Sequence, residues 1–295
     1  MTNVTSTEYV QNLLDKASGL DQAQGDPRLK AILRDVLQAT CELVEKHNIT
    51  EGEFWSAVSF MGNAAPEFGL IVPGIGIEHF FDLVLDARDK EVGADGGTPR
   101  TIEGPLYVEG APLSDNEAVM SNQEENGERL YIRGRVLNLD GNPLSGAIVD
   151  VWHANLSGFY SHFDPTNSQE PFNNRRKIKV GADGSYLVKT VMPKGYAVPP
   201  NGSTEQLLDK LGRHGNRPAH VHFFADVDGY RHLTTQINIA DDPFVMDDFA
   251  YGTREGLVPD IKRENGEATI EFDLVLVAKE KSAIADRSSR PRLTV

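Results

Sequence analysis

Apolar residues recur at helical spacing through the first third of the chain and at strand spacing beyond it. From Pro27, the residues Leu29, Ile32, Leu33, Val36, Leu37, Leu43 and Val44 fall mostly three or four apart, one face of a helix. Asp26 ahead of Pro27 predicts where it starts, a capping side chain followed by a residue whose missing N–H costs nothing in the first turn. Thr50-Glu51-Gly52-Glu53 has the form of a capping box and opens a second helix through Phe54, Trp55, Val58 and Met61. A third is predicted after Gly76, through Ile77, Phe80, Phe81, Leu83, Val84 and Ala87. Between them Leu70-Ile71-Val72-Pro73-Gly74 reads as an apolar connector. Residues 6 to about 93 are therefore expected to be helical.

The glycine-rich run Gly93–Arg100 ends that pattern. Beyond it, Leu130–Val136 and Ala147–Trp152 alternate as strands around an Asp140-Gly141-Asn142-Pro143 turn. Further strands are expected at Ser185–Thr190, His220–Phe224, Leu233–Ile239 and Ala268–Val277. Short alternating strands between turn signals predict an antiparallel β-sandwich. The fold class is mainly β with an α-helical N-terminal region. Residues 1–95 form the helical linker or dimerisation region and 96–295 the β-sandwich catalytic domain. The polar tail from Lys279 is expected to be loosely ordered.

Composition narrows the functional classes. The 295 residues carry 44 acidic against 29 basic side chains, a net charge of −15 that repels phosphate backbones and argues against nucleic-acid binding. No apolar run is long enough to insert into a membrane, and the N-terminus has no signal-peptide pattern. Cys41 is the sole cysteine, so no internal disulfide can form, which fits a reducing, cytoplasmic setting.

Candidate chemistry centres on His220 and His222. On a strand both imidazoles project from one face while Val221 and Phe223 take the other. Neutral imidazole is the commonest metal ligand, although strand histidines satisfied by hydrogen bonds are the bland alternative. Tyr160 and Tyr196 stand in Gly- and Pro-rich loops, Gly158–Pro165 and Met192–Pro200. A loop tyrosine is ordinarily a packing residue. Tyrosinate is also a hard oxygen donor that serves as an iron ligand, and two phenolates with two imidazoles favour a trivalent ion over zinc.

The segments Gly158–Pro165, Pro193–Pro200 and Arg213–His222 resemble those of the intradiol ring-cleaving dioxygenases, nearest the catechol 1,2-dioxygenase branch. The likeness extends to Gly96–Tyr107, Leu233–Gln236, Asp247–Ala250 and the helical N-terminus, which is nearly the whole chain. The resemblance implies one ferric iron per subunit, held by Tyr160, Tyr196, His220 and His222. It implies cleavage of catechol by O2 to cis,cis-muconate in aromatic degradation through the β-ketoadipate route. Tyr196 would be the ligand displaced by substrate and would take up its proton, while Tyr160 stays bound. Arg217 would stabilise charge on the substrate ring and Gln236 would stand beside it. By the same resemblance the pocket wall is Leu70, Pro73, Ile102, Pro105, Leu106, Phe249 and Ala250. A homodimer formed by the helices, with a lipid held between subunits, is implied as well.

Other readings are open on the residues alone. Arg217 could be a surface arginine paired with a carboxylate, and Gln236 a buried amide satisfied by backbone. A zinc hydrolase or lyase on the same sandwich, or a non-catalytic binding module, would leave the tyrosine loops unexplained. Within the family, hydroxyquinol and chlorocatechol enzymes are the close alternatives. His47, His79, His153, His162, His214 and His232 lack a partner at ligand spacing and are read as structural.

Overall fold

Two compact units make up the chain, Met1–Ala65 and Pro66–Val295. The fold comes from a computed structural model and is described for residues 3–121, 126–279 and 292. The polar tail beyond Lys279 lies outside the described residues, apart from Arg292.

The first unit holds α1 (Glu8–Ala17), α2 (Pro27–His47) and α3 (Glu51–Ala64). Asp26 accepts from the Arg28 and Leu29 amides and so caps α2 as its position predicts. Both halves of the Thr50–Glu53 capping box form at the start of α3. Polar contacts join α1 to α2: Arg34 pairs with Asp15 at 3.0 Å, and Gln11 donates to Gln38 at 3.0 Å. The apolar face of α2 is left open, with no buried residue and with Leu29, Ile32, Val36 and Leu43 about half exposed or more.

The second unit begins with a finding that corrects the sequence reading. The expected connector around Leu70 is a short helix, α4 (Phe68–Gly74), with Pro73 inside it. A proline in a helix interior forfeits one bond to the carbonyl four residues back. Here it sits one residue from the end, and the Ile75 amide still closes the last turn onto Ile71. Gly76, at φ 81°, turns the chain into α5 (Ile77–Glu91). Buried acids fasten α5: Glu78 accepts from the Glu103 and Gly104 amides, and Asp89 pairs with Arg100 and Arg231. The division by compactness thus falls before α4, ahead of the change from helix to strand near residue 93.

Two sheets face each other across the core. One orders β1 (Leu113–Asp115), β5 (Arg175–Lys179), β4 (Ile148–His153), β9 (His220–Asp226) and β10 (Leu233–Asn238). The other orders β11 (Ile261–Glu264), β12 (Glu267–Glu271), β3 (Arg129–Asn138), β6 (Ser185–Val191) and β2 (Glu117–Val119), with β13 (Leu274–Leu276) also on β3. Val149, Val151, Val221, Phe223 and Ile237 meet Leu130, Ile132, Tyr186, Val188 and Ile270 in one buried cluster. The Phe223 ring lies 5.9 Å from that of Phe272 and 6.3 Å from that of Tyr186. The sandwich is as expected, but it is not purely antiparallel: β1–β5, β2–β6, β12–β3 and β13–β3 run parallel.

The strand expected over Ala268–Val277 is broken in two at Phe272 and Asp273. Tyr186 donates its hydroxyl to the Phe272 carbonyl at 2.6 Å, and the Asp273 carboxylate accepts from the Arg135 amide at 2.8 Å. Opposite the break stands Gly134, where any Cβ would collide with the Phe272 carbonyl. The charged strand β5, and α6 (Ser203–Lys210), carried no periodic signal. Glu67 fixes the start of α6 by accepting from the Ser203 and Thr204 amides.

Candidate metal centre and active site

Strand β9 divides its side chains between two environments. Val221, Phe223 and Ala225 enter the inter-sheet core, while His220 and His222 point out of the other face. Register delivers their neighbours: Gln236 and Trp152 lie opposite His222, and Asn238 opposite His220. The Trp152 ring stacks on His222 at 4.7 Å and 5°. Around it, Tyr107, Tyr160 and Phe224 are buried, with Leu106, Phe163 and Tyr196 packed against them.

The two tyrosines arrive by different routes. Tyr160 comes from a loop and is 2% exposed. Tyr196 is half-buried and lies in a two-residue strand, β7 (Tyr196–Ala197), not in the loop expected from sequence. That strand pairs with β8 (Asn216–Arg217), setting Tyr196 directly opposite Arg217. Two glycines permit the approach. Gly158 has φ 80°, and a Cβ there would lie 3.0 Å from the Gly195 carbonyl and from Tyr196 Cβ. A Cβ on Gly195 would lie 2.5 Å from the Arg217 carbonyl.

Nε2 of His220 is the meeting point. Tyr160 Oη lies 3.0 Å away, Arg217 Nη1 3.0 Å and His222 Nε2 3.1 Å. The Tyr196 ring centroid is 5.6 Å from Tyr160 and 5.7 Å from His220. His220 Nδ1 sits 2.6 Å from the Pro218 carbonyl and so carries the proton, which leaves the Nε2 lone pair facing the cluster. Burial, reinforced by Arg217, drives the His220 pKa down to about 3; burial and His220 lower that of His222 well below the imidazole range. Both rings are therefore neutral, the state in which imidazole binds metal. Burial, then Tyr196, raises the Tyr160 pKa well above the phenol value. A bound cation is what would make its phenolate accessible.

The donor set fits a metal ion. Tyr160 Oη and His222 Nε2 both crowd the single Nε2 lone pair of His220 within 3.1 Å, a conflict that a cation held by all three would relieve. Among the described residues no three His, Cys, Asp or Glu side chains gather at ligand distance, so the cluster depends on its phenols.

Arg217 is 4% exposed, which disposes of the surface-arginine reading. Its Nε and Nη2 clasp Asp248 at 3.1 and 2.9 Å, and Nη2 also donates to Gln236 Oε1 at 3.0 Å. Gln236 Nε2 donates on to Asn238, so this amide is satisfied by side chains and not by backbone. Burial by itself would lower the Arg217 pKa; Asp248 outweighs it and keeps the guanidinium charged. Asp248 in turn accepts from the Ala250 and Gly252 amides, which fixes the loop bearing Phe249 and Ala250.

The remaining residues expected along the pocket divide into groups. Ile102, Phe249 and Ala250 share one buried cluster with Val198 and Leu208, whereas Leu106 packs beside Tyr160. Pro105 touches α4 where Gly69 leaves room, and Gly74 makes room for Phe249 in the same way. Pro73 is buried and Leu70 half-buried on that helix. Among the other histidines, His153 pairs with Thr190, His214 with Asp247 and His232 with Asp226.

Residues 102–278 match the family described as dioxygenase, and residues 26–93 the family described as catechol dioxygenase N terminus. The chain belongs to the intradiol dioxygenase family. It is 47% identical to a catechol 1,2-dioxygenase of Acinetobacter baylyi, over 99% of both chains. A hydroxyquinol 1,2-dioxygenase of a Rhizobium species is 33% identical over 81% of both. The solved structure of catechol 1,2-dioxygenase from Acinetobacter sp. ADP1 superposes with a TM-score of 0.93 at 46% identity, covering 99% of each chain. As a member of this family the chain is an enzyme, an oxidoreductase.

Sequence reasoning missed Asp248, Arg175 and Trp152. Asp248 stands in a recognisable motif, but its partner Arg217 is 31 residues away in sequence. Arg175 lies in a strand too charged to read as core. Trp152 reads from sequence only as a strand residue; that it faces His222 follows from the pairing of β4 with β9.

Proposed function

We propose that the chain cleaves catechol with dioxygen to cis,cis-muconate at a ferric iron held by Tyr160, Tyr196, His220 and His222. The observation carrying this reading is the approach of Tyr160 Oη and His222 Nε2 to within 3.1 Å of His220 Nε2, with the Tyr196 ring 5.7 Å from that of His220 and the buried Arg217 guanidinium beside them. Ferric iron in that donor set would supply a Lewis-acidic centre that activates a chelated catecholate towards oxygen. Phenolate donors stabilise the trivalent state over zinc.

The chain's own residues account for the rest. Tyr196 is more exposed than Tyr160 and stands on a short strand, which suits it to leave the metal and take up a substrate proton at its Oη. Tyr160, locked among Trp152, Leu106 and Phe163, suits the ligand that stays. Arg217 presents a permanent charge, fixed by Asp248 and Gln236, where negative charge builds up on the substrate. Leu70, Pro73, Ile102, Pro105, Leu106, Phe249 and Ala250 would form the apolar wall around the ring. Greater identity to catechol enzymes than to a hydroxyquinol enzyme, 47% against 33%, supports catechol as substrate.

Residues 1–95 are inferred to serve assembly, as a homodimer built on the open face of α2 and able to hold a lipid, with residues 96–295 catalytic. The free Cys41 fits a cytoplasmic enzyme. Oxygen uptake by iron-loaded protein with catechol, hydroxyquinol and 4-chlorocatechol tests the activity. Stoichiometric uptake with muconate formed from catechol is expected, and no uptake with any of the three overturns the reading.

A further inference from the structure

Arg175 is 1% exposed, yet among the described residues no carboxylate lies within ion-pair distance of it. Its Nε donates to Ser161 Oγ at 3.0 Å, and Nη2 donates to the carbonyls of Leu106 at 2.8 Å and Ser161 at 3.0 Å. Nη1 has no partner among the described residues. The guanidinium carbon stands 5.6 Å from the centre of the Tyr160 ring and 5.9 Å from that of Phe163. Asp150, the carboxylate with the strongest influence on it, is held by the Tyr107 hydroxyl at 2.7 Å and faces Lys177 at 3.7 Å. A buried cation without a direct counter-charge is costly, so its retention calls for an electron-rich group close by.

The geometry points to Arg175 as a positioning residue that sets a fixed positive charge beside the Tyr160 ring and weakens this phenol's electron donation to a bound metal. This rests on the reading of Tyr160 as a metal ligand. A guanidinium does not lose its proton in a protein, so Arg175 carries a permanent positive charge. A cation beside a phenolate favours its ionised form and lowers the energy of its donor electrons.

The test is the visible phenolate-to-iron charge-transfer band of the iron-loaded full chain in a Tyr196→Phe background, where Tyr160 alone supplies it. Charge transfer moves an electron away from Arg175, so Arg175→Gln should shift the band to longer wavelength. Arg175→Lys, whose localised charge does not reproduce the fork, should give a smaller shift the same way. Ser161→Ala removes one hydrogen bond but no charge and should leave the band in place. If Arg175→Gln does not fold, Arg175→Lys decides alone. An unmoved band at full iron content overturns the proposal, as does a Ser161→Ala shift equal to that of Arg175→Gln. A wild-type chain that binds iron with no visible band overturns the ligand assignment itself, a distinguishable result.

Discussion

Arg217 shows how much a single residue can depend on its surroundings. Two neighbours fix its guanidinium, Asp248 and Gln236, while Nη1 stands 3.0 Å from His220 Nε2. Arg217→Lys keeps a charge but loses the planar fork. Removing one preorganised electrostatic stabiliser typically costs about 10²–10³ in rate, so turnover should fall by that order while iron content stays near one per subunit, measured by oxygen uptake and metal analysis on the same sample. A second residue carries a pH signature away from the metal. Burial, against the opposing pull of Tyr107 and Lys177, raises the Asp150 pKa from 3.8 to about 6. A carboxyl whose pKa is raised in the folded state contributes stability below its unfolded pKa and loses it as pH rises through the folded one. Relative to Asp150→Asn, wild type should therefore lose on the order of 2–3 kcal/mol of stability between pH 4 and pH 7. Denaturant unfolding of both proteins across that range checks the slope.

At the scale of elements, the site depends on close approaches between segments that are far apart in sequence. The β7–β8 pair is two residues long and brings Tyr196 and Arg217 opposite each other only because Gly195 offers no side chain to the Arg217 carbonyl. Gly195→Ala forces that pair apart. Overpacking of this kind costs about 1–3 kcal/mol, and here the displacement falls on Tyr196, a proposed metal ligand. Iron affinity should drop and the visible spectrum should change more than the midpoint of unfolding; normal iron content and an unchanged spectrum would show that the hairpin yields without disturbing the site. The helix caps are local by contrast. Asp26 and the Thr50–Glu53 box do what their sequences prescribe, because every partner is within three residues.

For the whole molecule, the open question is what covers the face of α2. Leu29, Ile32, Val36 and Leu43 form an apolar stripe, each about half exposed or more. Stripes of this size on a helix usually mark an interface, and two-fold closure is the commonest solution. Leu33→Asp with Leu37→Asp should convert a dimer to monomer or reduce solubility while leaving the iron spectrum intact. Sedimentation at low concentration and native mass spectrometry report the assembly and any bound lipid, and a wild-type chain that stays monomeric sinks the dimer.

What the sequence determined by itself was local or periodic. The helices from Pro27 and Thr50 and the alternation of β9 could be read from spacing of a few residues, because caps and pleats are set by near neighbours, whereas the four candidate ligands as a set were implied by the family resemblance. The tertiary structure alone decided the rest. It turned Leu70–Gly74 into a helix, divided Ala268–Val277 opposite Gly134, and ran several edge pairings parallel. It also set Asp248 against Arg217 and Arg175 over Tyr160. A charged residue reads as surface in a one-dimensional pattern. Only the packing of distant segments shows that it is buried, and which charge or ring makes that burial tolerable.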